Sequence, residues 1–193
     1  MATTDRWYAP WIGAMNGTVH SSLTPAKHYW PFFTGKQSID IDALGFWTNG
    51  TASPTAGVWR AAIYASTTWP TDLYPGALIV DSGNITMNAS DGLVFATFTA
   101  VTLASHTMYW FATKRQTNAS GTAVHAATTD KTFPYQPYQT TNTFAAGTTQ
   151  KLWTPLQDTN VTGAWPDPAT AGAAPVNTVP AALIPFFRVT GAA

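Results

Sequence analysis

The chain has no cysteine and no glutamate, and only 9% of its 193 residues are charged. Soluble domains ordinarily carry about 25% charged residues. Each scarcity removes options. Without cysteine there is no structural disulfide and no cysteine-ligated zinc. Glutamate is a strong helix former and is missing, while threonine, which favours strands, supplies about one residue in six. No stretch approaches the roughly 20 apolar residues of a membrane-spanning helix. Residues 1–11 are polar and aromatic and lack the apolar run of a secretion leader. The expectation is a chain made in a cytoplasm, with no membrane insertion. Lysine and arginine balance aspartate to a net charge of zero, so there is no basic stripe and no nucleic-acid partner is expected.

What remains is strand and turn material. Hydrophobic residues make up 45% of the chain, enough for one sizeable core, and fourteen prolines and fourteen glycines supply turns. The six Asn-x-Ser/Thr triplets, at Asn16, Asn49, Asn84, Asn88, Asn118 and Asn160, are what chance produces in a chain this rich in Asn and Thr. A lightly charged, neutral surface also favours association, as in an assembly component.

Alternation of apolar and polar residues marks the strands. Residues 28–33 are short and aromatic, with Pro31 fitting an edge or a bulge. Residues 38–48 read as one long strand. Ile39 and Ile41 alternate with Asp40 and Asp42, then the apolar phase shifts to Leu44 and Phe46, which predicts a bulge near Ala43. Residues 58–65 present Trp59, Ala61 and Ile63 on one face and Val58, Arg60, Ala62 and Tyr64 on the other. Residues 67–76 read as a long loop and 77–80 as a strand. Along 93–103, Leu93, Phe95, Thr97, Thr99, Val101 and Leu103 are predicted to share one face. Residues 108–114 have the density of a buried central strand, and 122–128 and 179–189 are further strands. Residues 130–178 are rich in Pro, Thr and Ala and read as long loops, linker-like over 167–175. The fold class is therefore all-β: an antiparallel, jelly-roll-like β-sandwich over residues 28–193, preceded by an extended N-terminal arm over residues 1–27. Trp59, Ile63 and Trp110 are expected between its two sheets.

No constellation points to catalysis. Asp40 and Asp42 share a strand face, but i and i+2 on a strand lie about 7 Å apart, against the roughly 5–5.5 Å of a retaining glycosidase pair. A solvated strand face explains them better than a Ca²⁺ site or an enzyme. His20, His28, His106 and His125 have no metal-ligand spacing, and there is neither a Gly-x-Ser-x-Gly elbow nor a phosphate loop. No enzyme activity, metal or cofactor is expected. Aromatic residues are the unusual resource. Sugars stack on aromatic rings while carboxylates hold their hydroxyls. Trp69, Asp72 and Tyr74, stiffened by Pro70, have those ingredients, although both rings equally suit packing under their own loop. Trp7, Tyr8 and Trp11 in the arm are candidates for docking, or for packing on their own domain.

Several segments recur in an order resembling a known module. Residues 43–47 (Ala-Leu-Gly-Phe-Trp) precede 59–64 (Trp-Arg-Ala-Ala-Ile-Tyr). Next come 74–83 (Tyr-Pro-Gly-Ala-Leu-Ile-Val-Asp-Ser-Gly), then 101–103 and 108–112 (Met-Tyr-Trp-Phe-Ala), with 185–189 (Pro-Phe-Phe-Arg-Val) closing the chain. This resembles the β-sandwich module of tailed-bacteriophage virion proteins of minor tail, head fibre or decoration type. The turn before Met108 lacks the Pro or Gly usual there. The resemblance implies structural roles: Pro75-Gly76 as a turn before a strand, Gly83 as a strand breaker, Tyr109 and Trp110 as core, and Arg60 paired with Asp81. It implies a surface protein of the virion, assembled in the bacterial cytoplasm. Its partners would be other capsid or tail proteins, further copies of itself (a homo-oligomer such as a trimer) and a host-surface glycan. The alternative is a stand-alone lectin-like carbohydrate-binding module.

Overall fold

The computed structural model describes residues 6–8, 17–20, 27–49, 58–68, 72–86, 92–115, 123–127, 156–158, 163–169, 174–175, 182–183 and 185–192. Of these, 76% are strand and none is helical. Among the described residues fourteen strands follow one another. They are β1 (Arg6–Tyr8), β2 (Gly17–His20), β3 (Lys27–Phe33), β4 (Ile39–Asn49), β5 (Val58–Thr68), β6 (Asp72–Asp81) and β7 (Ile85–Thr86). Then come β8 (Gly92–Leu103), β9 (Met108–Arg115), β10 (Ala123–Ala127), β11 (Leu156–Asp158), β12 (Ala174–Pro175), β13 (Ala182–Leu183) and β14 (Pro185–Ala192).

They form two antiparallel sheets. In the first, β4 lies between β14 and β8, β1 flanks β14, and β10 pairs with the last two residues of β4 and has β2 and β13 beside it. The second runs β12-β11-β3-β9-β5-β6, with β7 also on β5. Alternation sends every second side chain inward. Ile41, Leu44, Phe46, Val94, Leu103 and Phe187 from the first sheet meet Trp30, Phe32, Trp59, Ala61, Ile63, Tyr109 and Phe111 from the second. The molecule is a β-sandwich with its main core between the sheets. The bulge expected near Ala43 is present: β4 and β8 lose register between Ile41 and Ala43. Pro31 lies beyond the residues of β3 that pair with β11, where β3 has β9 alone beside it among the described residues.

Four expectations need correction. Trp110 is not between the sheets. It belongs with Tyr29, Ala62, Tyr64, Met108 and Ala112 on the other face of the second sheet, and Trp165 covers them. Tyr109 alone of the Tyr109-Trp110 pair enters the main core, because adjacent strand residues face opposite ways. The single face expected along residues 93–103 is broken by the bulge. Val94, Ala96 and Phe98 point to the core at one end and Val101 and Leu103 at the other, which turns Phe95 outward, 47% exposed. Finally, much of the loop expected over residues 67–76 is strand. β5 reaches Thr68, β6 starts at Asp72, and Pro75-Gly76 lie inside β6, where register shifts absorb them, not in a turn before it.

Residues 163–169 form a strap over the outer face of the second sheet. Its anchors come from β9, β5 and β6. Lys114 Nζ donates to Ala164 O at 3.1 Å and lies 4.5 Å from the centre of the Trp165 ring. Tyr64 Oη donates to Pro166 O, Leu78 N–H donates to an Asp167 carboxylate oxygen, and Ala169 N–H donates to Gly76 O. Lys114 is fully buried, so its charge is held by the strap and not by solvent. The linker-like reading of residues 167–175 gives way here to an anchored segment followed by β12. This strap makes the second sheet a middle layer, covered on both faces.

Burial pushes the Tyr64 phenol well above its ordinary range, with Tyr29, Asp81 and Asp167 adding to the effect. The folded state therefore keeps a proton that the unfolded chain gives up. Stability is unaffected below the ordinary phenol value of about 10 and falls above it by about 1.4 kcal/mol per pH unit from this residue. Urea melts through the alkaline range should show this slope in the native chain and a shallower one in Tyr64→Phe.

The turn between β8 and β9 does without Gly or Pro because His106 takes the left-handed conformation, φ 50°. Thr34 fixes that turn from the neighbouring loop. Its hydroxyl donates to Ala104 O and accepts from Thr107 N–H, while Ala104 N–H donates to the Tyr109 hydroxyl oxygen.

Candidate functional site

The outer face of the first sheet carries the described residues best suited to binding. Its floor is the small-residue part of β4. Ala43 lies between Arg188 of β14 and Thr97 of β8, and Gly45 lies between Phe186 and Phe95. Directly opposed residues share a face, so large side chains from the flanking strands fold over this floor. Trp7, opposite Arg188 on β1, brings its ring to 5.1 Å from Phe95 between centres. The Arg188 guanidinium carbon is 5.9 Å from the centre of each ring.

Gly45 is needed for this arrangement. A Cβ there would sit 2.5 Å from Val94 O and 2.8 Å from Phe95 Cβ, and the first obstacle is backbone. Gly45→Ala should therefore prise β8 from β4 and cost about 2–3 kcal/mol. Thermal melting checks the loss, and faster amide exchange confined to β4 and β8 checks its location.

The charges on this face are matched. Arg188 donates twice to Asp42, at 2.7 Å from both Nε and Nη2, with the two side chains only 21% and 22% exposed. Such a forked, half-sheltered pair holds its geometry better than a solvated ion pair. Asp40, on the far side of the bulge, accepts from the Thr102 hydroxyl at 2.6 Å. The two aspartates thus have separate partners, and no group of three His or Asp residues suited to a metal ion occurs among the described residues. Each carboxylate is engaged in scaffolding, and around them lie two rings and the exposed threonines Thr97, Thr99 and Thr102. This chemistry suits noncovalent contact with an apolar or hydroxylated surface.

The residues singled out in the sequence fall in different places. Trp7 is half-buried within this patch. Tyr8 points to the opposite face of β1, where its ring stacks on Phe187 at 6.1 Å while remaining 44% exposed. Trp11 and Trp69 lie outside the described residues, as does the Asp72 side chain, whose backbone opens β6 opposite Thr68. Tyr74 is half-buried and packs against the Trp110–Trp165 cluster. Phe95 and Arg188 escape the sequence reading as site residues, and Asp42 enters it as a solvated strand-face residue, not as the partner of Arg188. For Phe95 the bulge that turns it outward was the available signal, and for Arg188 a cation following Phe186 and Phe187 on an alternating strand.

Arg60 and Asp81 pair as the resemblance implies: Nε and Nη2 donate to the two carboxylate oxygens at 3.0 and 2.6 Å. Asp81 also accepts from Gly83 N–H and from Trp165 N–H, so it organises the end of β6 and one anchor of the strap together. Gly83, with φ 69°, ends that strand as expected. No protein-family model, curated protein or solved structure matches the chain.

Proposed function

We propose that this chain is a non-enzymatic surface protein of a bacteriophage particle, a tail-associated or capsid-decorating component with a jelly-roll-like sandwich. It serves assembly and attachment, with adhesion to host-surface glycans as a further role. The observation that carries the reading is the outer face of the first sheet, where an exposed ring, Phe95, and a half-buried one, Trp7, flank a charge pair already satisfied within the fold. Such a face is built to contact other surfaces. The ordered motifs at residues 43–47, 59–64, 74–83, 108–112 and 185–189 support the virion context, because their charged members serve as scaffold: Arg60 holds Asp81 and Arg188 holds Asp42. Repeated copies on a particle would multiply modest affinities.

The test is antibody labelling and mass spectrometry of purified particles, comparing the native chain with Trp7→Ala/Tyr8→Ala. The expected result is native chain on the particle surface and loss of most incorporation in the variant, with its melting temperature largely retained. Absence of the native chain from particles overturns the reading. A lectin-like module is the second reading, favoured by the same rings with Asp40 and the threonine hydroxyls beside them. Defined binding on a glycan array by a chain absent from particles would establish it.

A further inference from the structure

The strands at the margins of the two sheets are not treated alike. Among the described residues, seven strands pair with one neighbour only, and five of these are two to four residues long: β1, β2, β7, β12 and β13. The two long ones differ sharply. β6 is interrupted by Pro75 and by register shifts, bears Asp72 and Asp81 at its ends, and has the strap bonded to it at Gly76 O and Leu78 N–H. Those are the devices that keep a strand edge from recruiting another chain. β8 has only one of them, a single register shift between Thr97 and Val101. Its twelve residues, Gly-Leu-Val-Phe-Ala-Thr-Phe-Thr-Ala-Val-Thr-Leu, contain neither proline nor charge, and among the described residues β4 is its only strand partner.

We infer that β8 is where a second copy of this chain adds to the first sheet. The two β8 strands run antiparallel about a two-fold axis at Phe95, joining two sheets into one. Three observations select a second copy and this register. A two-fold contact places the same strand opposite itself, and β8 brings no charge to repel its twin, in a chain whose net charge is zero. The stretch Leu93–Thr97 pairs without interruption with Trp47–Ala43, before the irregularity that precedes Val101, so it is the regular length available for further pairing. Its midpoint, Phe95, is among the most exposed large apolar side chains, and at the axis it meets its twin while Leu93 meets Thr97. Main-chain pairing then supplies affinity and the alternating side chains supply register. This inference does not depend on a virion role.

The absence of cysteine gives a direct test in the full-length protein. Light scattering over a micromolar to hundred-micromolar series should show a monomer–dimer equilibrium. Phe95→Cys should form a disulfide-linked dimer about tenfold faster than Thr102→Cys on the same strand, because only the former holds its thiol beside its twin. Leu93→Lys/Thr97→Lys opposes like charges twice and should be monomeric with a native circular-dichroism spectrum. Leu93→Asp/Thr97→Lys opposes unlike charges and should restore the dimer. A chain that stays monomeric throughout overturns the inference, as do equal linking rates at the two cysteines or a dimer indifferent to the lysine pair. Should the lysine variant fail to fold, the cysteine comparison decides alone. Particle incorporation is a separate readout, so failure here and failure of the virion reading are distinguishable.

Discussion

Trp165→Ala should lower stability by about 3–5 kcal/mol, the range for removing a large buried aromatic side chain. For a domain of this size that is a fall of about 10 °C in melting temperature. The residue is only 4% exposed, and its ring makes edge contacts with Tyr29 and Tyr64 at 5.9 and 6.1 Å. It also lies beneath the Lys114 ammonium. Removing it opens the face where Trp110 and Tyr64 are buried and leaves Lys114 facing a void. Trp165→Phe separates ring from N–H. The indole nitrogen is buried without a hydrogen-bond partner among the described residues, so phenylalanine should keep most of the stability. Calorimetry on the three proteins checks this, and a loss below about 1 kcal/mol in the alanine variant would mean that the strap is an ornament.

Asp81→Ala is expected to be comparably damaging, by about 3–5 kcal/mol, since it leaves the Arg60 charge sheltered and unmatched. Both side chains are only 17% exposed, which distinguishes the pair from ordinary surface ion pairs. The same substitution strands the Gly83 and Trp165 N–H groups. A double-mutant cycle with Arg60→Met should return a coupling energy of about 1.5–3 kcal/mol by urea denaturation. A coupling near zero would show that Asp81 acts through the backbone donors alone.

Much of the architecture was legible because period-two alternation is a local property. Trp59, Ala61 and Ile63 needed only their own strand to be assigned to one face, and the phase slip from Ile41 to Leu44 announced the bulge in β4. The errors share a different cause. That bulge also reset the partner strand, so the face of residues 93–103 depended on a feature some 50 residues away in sequence. The density of apolar residues around Trp110 points to the inter-sheet core, because it does not say how many faces of a sheet are covered. Only the strap around Trp165 makes the outer face apolar, and its sequence, Gly-Ala-Trp-Pro-Asp-Pro-Ala, carries no period at all. The candidate site was less legible still. Trp7 stood out as a ring in an arm, but its companions Phe95 and Arg188 are brought to it by pairings between opposite ends of the chain.

Those pairings bear on synthesis. Arg188 reaches Asp42 across 146 positions, and β14 supplies one whole flank of β4. A ribosome must deliver the chain through β14 before the first sheet is complete, so its closure carries the slow kinetics of distant contacts. Until then β4 stands open on the flank that β14 will occupy, where nascent chains on one message are most prone to pair with each other.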